Sequence, residues 1–163
     1  MPGSKTITLQ GIILRETPMG ESDKMMAVLT AEYGLISVAG RGVRKLNSAH
    51  MAATQLYSYT EFVLAKNKDV YNIRETTLKE SFYRLHKSLE GLALAGYIAE
   101  VACDIATDNS EHTDLIRLVL NSYWAIANAI KPIPQIKAAF EMRCVSLAGF
   151  TPDLVGCAGC GTY

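Results

Sequence analysis

Arg41, Arg44 and Lys45 are the side chains of this 163-residue chain best placed to bind a ligand, grouped in Gly40-Arg41-Gly42-Val43-Arg44-Lys45. From Tyr33 up to Glu61 the chain carries no carboxylate. An arginine fork donates two parallel hydrogen bonds to a phosphate, and lysine adds a compact charge. The small Gly40 and Gly42 allow a backbone to come close. Formal net charge is zero, so anion binding must come from such clustering and not from a generally basic surface. The segment is a footprint for a polyanion, most simply a nucleic-acid backbone. A solvated loop is the plain alternative. Arg15 and Lys24 extend the cationic set, and His50 can add to it. Lys66 and Lys68, at a hairpin tip, either line the path of a strand or serve solubility.

Tyr57 and Tyr59 share one face of a predicted strand, with Tyr71 on the next. Such rings stack on unpaired bases for about 1–3 kcal/mol each, or they pack across strands.

Four cysteines are present. Cys103 and Cys144 fall in helical patterns and are expected as small core residues. Cys157 and Cys160 form a C-x-x-C followed by glycine, the first knuckle of a zinc ribbon, which needs a second pair about 15–20 residues later. Two thiolates do not complete a tetrahedron. Zinc is therefore expected in a longer chain and not in this one. A redox dithiol would need a helix start just after a strand, and two bare thiols are the third reading. The spacing is not that of a secreted disulfide scaffold, which favours a reducing compartment. His50, His86 and His112 lack metal spacing. Glu21 with Asp23, and Asp108 with Glu111, suit a strand-entry loop and a helix cap. No nucleotide loop, nucleophile elbow or zinc-protease helix occurs.

The elements that hold these residues change character near residue 80. Before it, apolar residues alternate with period two. Ile7 and Leu9 begin a first strand, and Gly11 before Ile12-Ile13-Leu14 marks either a bulge or a strand buried on both faces. Lys24–Thr30 and Leu35–Gly40 form a hairpin whose three- to five-residue loop takes its positive φ from Gly34. Tyr57–Ala65 and Val70–Thr76 are the fourth and fifth strands, and alanine-rich Ser48–Gln55 predicts a short helix. Five strands with a helix between the third and fourth predict an OB-fold barrel over an SH3-like one. From Glu80 the pattern is helical: Ser88–Ala106, apolar nearly all round; Thr113–Ile130, opened by a capping box at Asp108-Asn109-Ser110-Glu111; and Gln135–Leu147, with Ile136, Phe140, Cys144 and Leu147 in one stripe. Gly149 and Pro152 stop the last helix. The fold class is α+β: a five-stranded OB barrel over 1–79, a helical domain over 80–150, and a zinc-ribbon half over 151–163. No apolar run reaches the roughly 18 residues of a membrane span, and the N-terminus lacks a secretory signal, so a cytoplasmic location with no membrane partner is expected.

Several short segments, in order and spacing, resemble the bacterial RecO family of recombination mediators. They are Gly11-Ile12-Ile13-Leu14-Arg15, Gly20-Glu21-Ser22-Asp23-Lys24, Thr30-Ala31-Glu32-Tyr33-Gly34-Leu35, Ala39-Gly40-Arg41-Gly42-Val43-Arg44, and Leu147-Ala148-Gly149-Phe150-Thr151-Pro152 leading to Cys157 and Cys160. The resemblance runs the whole length. It implies an OB domain, a helical domain and a four-cysteine zinc element whose second pair lies beyond Tyr163. It also implies a nucleoid-associated, non-enzymatic protein that binds single- and double-stranded DNA and anneals complementary strands. Such a protein helps load the recombinase, acting with RecR and with the acidic-hydrophobic tail of single-strand-binding protein. An OB module for RNA or protein, without annealing activity, is the alternative; a thiol oxidoreductase at Cys157 and Cys160 is the remote enzymatic one.

Overall fold

The computed structural model describes residues 6–106, 110–152, 155–157 and 159–160. Five strands, β1 (Thr6–Met19), β2 (Asp23–Thr30), β3 (Gly34–Gly40), β4 (Tyr59–Asn67) and β5 (Val70–Glu80), close a barrel in the order β1-β2-β3-β5-β4. Three helices follow: α1 (Leu89–Ile105), α2 (Thr113–Ala127) and α3 (Ile133–Leu147). All strand pairs are antiparallel except β3 with β5, which meet in parallel at Val38–Tyr71 and Ala39–Asn72. The OB-fold expected from the strand pattern is the fold observed.

Alternation explains the barrel interior. Leu9, Ile13, Met26, Val28, Ile36, Val38, Phe62, Leu64 and Tyr71 point inward and form one core. The β2–β3 loop is the three residues between Thr30 and Gly34, and Gly34 takes φ +65°. Thr30 holds this turn, donating from its hydroxyl to the Gly34 carbonyl and accepting from the Tyr33 amide. The β1 bulge lies between Ile13 and Arg15 and not at Gly11. Gly11 is instead a point of close approach, where an added Cβ would stand 2.5 Å from Val28 Cγ1. The continuous run Ile12-Ile13-Leu14 is buried on both faces, Ile13 in the barrel and Ile12 and Leu14 beneath the helices.

The second and larger core is shared. Ile12, Leu14, Leu29 and Tyr57 of the barrel region pack with Leu94, Ile98, Val119, Tyr123, Ile136 and Phe140 of the helices. Tyr123 donates its hydroxyl to the Ala95 carbonyl at 3.0 Å and meets the rings of Tyr57 and Phe82 edge-on. The His112 amide at the start of α2 donates to the Ala31 carbonyl in the β2–β3 turn at 2.8 Å. Barrel and helices are thus one packed body.

Local predictions differ from the fold in a few places. Ser48–Gln55 holds only a 3-10 turn, Ala52–Thr54. Its chain is instead a series of i→i−3 turns (Lys45 to Gly42, Ser48 to Lys45, Met51 to Ser48), pinned where His50 Nδ1 meets Thr76 Oγ1 at 2.9 Å. Ser88 caps α1 by accepting from the Gly91 amide. His112, and not a residue of the expected capping box, occupies the N-cap position of α2, without a side-chain cap bond of its own. Asp108 and Asn109 lie outside the described residues. Leu147 of the α3 stripe is exposed, whereas Ile136, Phe140 and Cys144 are buried. Gly149, at φ +88°, ends the helix as expected.

Candidate nucleic-acid interface

The loop after β3 is held against the β1–β2 hairpin by its backbone. The Gly42 amide donates to Asp23 Oδ1 at 2.8 Å, and the Arg44 amide donates to the Ser22 carbonyl at 3.0 Å. Arg44 Nη1 donates to the Gly20 carbonyl at 3.0 Å, which leaves most of the fork's N–H donors for a ligand. Gly42 adopts φ +64°, a left-handed turn that reverses the chain above Val43. Val43 is buried against Gly40, whose added Cβ would stand 2.8 Å from Val43 Cγ2. Gly40 therefore admits Val43, not a phosphate, while Arg41, Arg44 and Lys45 stay exposed. The gap of carboxylates in the sequence is closed in space by Asp23. The Gly42 amide holds the Asp23 carboxyl below its ordinary pKa, with Ser22, Arg41 and Lys45 adding to the effect against some desolvation.

Arg41 stands where two adjoining grooves meet. One, of about 460 Å³, runs between the end of β3 and the β4–β5 turn and includes Lys68 together with the carboxylates of Asp23 and Asp69. The other, of about 340 Å³, runs along β4 and β5 and includes Lys66 and Arg74. Both are lined by Ala39, Arg41, Asn67 and Asn72, so they form one depression across the β3–β5 junction. Lys66 Nζ lies 5.4 Å from the Tyr71 ring centroid, which steadies that cation at the rim.

Of the residues expected from sequence, the fold brings Arg41, Lys66 and Lys68 together, with Arg44 and Lys45 on the adjacent loop. Lys24 is a correction. It is 5% exposed, at the end of the barrel interior, and its ammonium is 2.7 Å from Glu16 Oε2. It lines the groove but its charge is spent. Arg15 is exposed but lies on the helical side, close enough to α1 for its charge to act on Cys103. Arg74 was missed by sequence reasoning. The available signal was the period of two in Val70–Thr76, which places Asn72 and Arg74 opposite Tyr71 and Ile73. His50 is engaged by Thr76 and does not extend the cationic face.

The tyrosines pack. Tyr57, at φ +66°, is buried against Tyr123, and Tyr71 is inside the barrel. Tyr59 is half-buried and donates its hydroxyl to Gln10 Oε1 at 2.7 Å. A cavity of about 630 Å³ lies where α1, α2 and α3 converge and includes Asp104, Glu111 and Asp114, a lining that repels phosphate.

Cys157 and Cys160 are exposed, and among the described residues no group of three metal-ligating side chains occurs. The donor set present does not fit a four-ligand zinc centre. Burial raises the thiol pKa of Cys103, which is half-buried against the larger core, and that of Cys144, which lies within it, to about 11, so both thiols are held toward the protonated form. No helix of the described residues is long and apolar enough to cross a membrane.

A closed barrel of this strand order, with a basic groove where β3 meets β5 and a helical unit packed on one side, defines an OB-fold protein with a helical companion domain. The chain belongs to the RecO family: the family model "Recombination protein O N terminal" matches residues 4–82, and "Recombination protein O C terminal" matches residues 86–163. It is 34% identical over 152 residues to the DNA repair protein RecO of Acetivibrio thermocellus, covering 93% of this chain and 61% of that protein. It is 30% identical over 155 residues to the DNA repair protein RecO of Alkaliphilus metalliredigens, covering 95% and 63%. The corresponding protein of Anaeromyxobacter dehalogenans is 31% identical over 157 residues. The chain thus spans about three fifths of the length of these relatives.

Proposed function

We propose that this chain binds DNA by its backbone and acts in recombinational repair. On this reading it holds single and double strands, anneals complementary ones and helps load the recombinase. The observation that carries the reading is the junction groove, where Arg41, Lys66, Lys68 and Arg74 converge from three strand ends beside the Arg44–Lys45 loop. Two asparagines on its floor, Asn67 and Asn72, offer neutral hydrogen bonds, so contact is with phosphate and sugar and carries little sequence information. The family membership and the relatives named DNA repair protein RecO support the same reading. RecR and the tail of single-strand-binding protein are the proposed partners. An acidic-hydrophobic tail suits the cleft of about 300 Å³ between α2 and α3, where Arg143 lies beside Leu118 and Leu147 and Arg117 is ion-paired with Asp114 at 3.5 Å. Zinc is proposed only for a longer chain that supplies a second cysteine pair.

Fluorescence anisotropy with labelled single- and double-stranded oligonucleotides, titrated over salt, tests this. Binding that weakens steeply with salt is expected. Replacing Arg41 and Arg74 by alanine should lower affinity and reduce the salt slope by about one per contact removed. Unchanged affinity and slope would remove the groove from the site. Binding without strand annealing would favour an OB module for RNA or protein.

A further inference from the structure

A second group of side chains suited to nucleic acid lies beyond the far end of β5. Its interpretation rests on the DNA-binding reading above. Glu80 Oε1 accepts from the amides of Ser81 and Phe82, at 3.0 and 3.2 Å, and closes a tight turn. Phe82 sits in the left-handed region, φ 47° and ψ 28°, a conformation uncommon for a bulky residue. Its ring is buried edge-on to Tyr123, while Tyr83, next in sequence, is 58% exposed. Trp124 on α2 is 55% exposed. Tyr83 and Trp124 line one depression of about 310 Å³ with Arg84, Ala127 and Asn128. Arg84 Nη1 donates to Asn128 Oδ1 at 3.1 Å, bridging the chain after β5 to the end of α2. Lys87 Nζ is 5.6 Å from the Tyr83 ring centroid. The one carboxylate in the lining, Glu80, is turned onto backbone amides.

We infer that Tyr83 and Trp124 form a base-stacking station for single-stranded nucleic acid, with Arg84 and Lys87 holding the flanking phosphates. Exposed rings beside paired cations are what an unpaired base and its phosphates require, and a duplex offers no free base face. The junction groove lacks such rings, because Tyr57 and Tyr71 are buried. From Arg74, exposed on the groove rim, to Glu80 is roughly 20 Å of strand, a span several nucleotides cover. Groove and station divide the work: the first holds any backbone, the second selects strands with unpaired bases.

Trp124 is the only tryptophan of the chain, so its emission reports on the station alone. The intact chain is titrated with oligothymidylate while anisotropy of a labelled copy measures occupancy. Emission should be quenched in step with occupancy. Trp124→Ala should weaken single-strand binding about 5- to 100-fold, leave duplex binding within about twofold, and be largely rescued by Trp124→Phe. Because the residue is exposed, an unchanged melting curve for Trp124→Ala is expected and excludes misfolding. Occupancy without a change in emission, or full single-strand affinity in Trp124→Ala, overturns the station and leaves the groove standing. Absence of any oligonucleotide binding overturns both. Quenching by an acidic peptide and not by the oligonucleotide makes this a peptide site and overturns the inference.

Discussion

Asp23 Oδ1 accepts a 2.8 Å hydrogen bond from the amide of Gly42, tying the entry of β2 to the basic loop that leaves β3. A carboxylate 19 residues upstream thus organises the cations it partly neutralises. Asp23→Asn keeps an acceptor and removes the charge, so loop order should persist and DNA affinity should rise. Asp23→Ala removes the acceptor and should free the loop. Hydrogen exchange of the amides of Gly42 and Arg44 separates the two: fast exchange in the alanine variant and near wild-type protection in the asparagine variant.

The same bond has a pH dependence of definite sign. The folded-state pKa of Asp23 lies below its ordinary value of 3.8, so the tether is fully present above that value. It is lost as pH falls through the lower, folded-state value. The Gly42 amide resonance should therefore titrate with a midpoint below 3.8. A midpoint at or above it would mean that the carboxylate gains nothing from the loop.

Gly40 and Gly42 differ in what they permit. A Cβ on Gly40 would press on both Val43 methyl carbons, at 2.8 and 2.9 Å, whereas one on Gly42 would meet only the Lys45 stem at 3.9 Å. Gly40→Ala should cost about 1–3 kcal/mol by overpacking and be partly relieved by Val43→Ala. Gly42→Ala should cost about 1–2 kcal/mol through its left-handed backbone, with no relief from Val43→Ala. Gly42→Asn should cost less than Gly42→Ala. A double-mutant cycle read by denaturant melting checks this; equal coupling of both glycines to Val43 would refute it.

Lys24 tests whether a basic residue at the groove is a ligand contact. Its ammonium is buried on Glu16, whose side chain is about one-third exposed. Lys24→Met should destabilise by about 1–2 kcal/mol, less than a fully buried pair would lose because solvent reaches Glu16. The salt slope of DNA binding should stay unchanged. Arg74→Ala should do the reverse, lowering the slope with little effect on stability. A lowered slope in Lys24→Met would return Lys24 to the phosphate set.

Which residues were legible follows from how local their cause is. The barrel strands, Gly34 and the helix stop at Gly149 rest on period-two alternation and on backbone conformation, and both are written in neighbouring residues. The fate of Lys24, Tyr57 and Tyr71 is decided by distant partners: Glu16 across the β1–β2 hairpin, Tyr123 on α2, and the closure of β3 onto β5. Charge on Lys24 looked like a ligand group, and for the two tyrosines stacking and packing both stayed open, because sequence spacing carries no record of burial. Arg74 went unseen for the converse reason. Beside Glu75 it resembles an ordinary solvated strand residue, and only the junction groove sets it opposite Arg41.

Tyr123 joins the two halves. It is fully buried, donates to the Ala95 carbonyl of α1, and meets both Tyr57 and Phe82, residues that flank β4 and β5. Burial pushes its phenol pKa well above the ordinary value, so it stays a neutral donor over the working range. Tyr123→Phe should cost about 1 kcal/mol, the worth of one buried hydrogen bond, and leave a single cooperative transition. Tyr123→Ala should cost about 3–5 kcal/mol. Because Ile12, Leu14 and Leu29 share its core, the loss should fall on barrel and helices together. Near-ultraviolet circular dichroism and amide exchange of β1 and α1 provide the measurement. If α1 amides lose protection in Tyr123→Ala while β1 amides keep theirs, barrel and helices are separate folding units, and the shared core does not couple them.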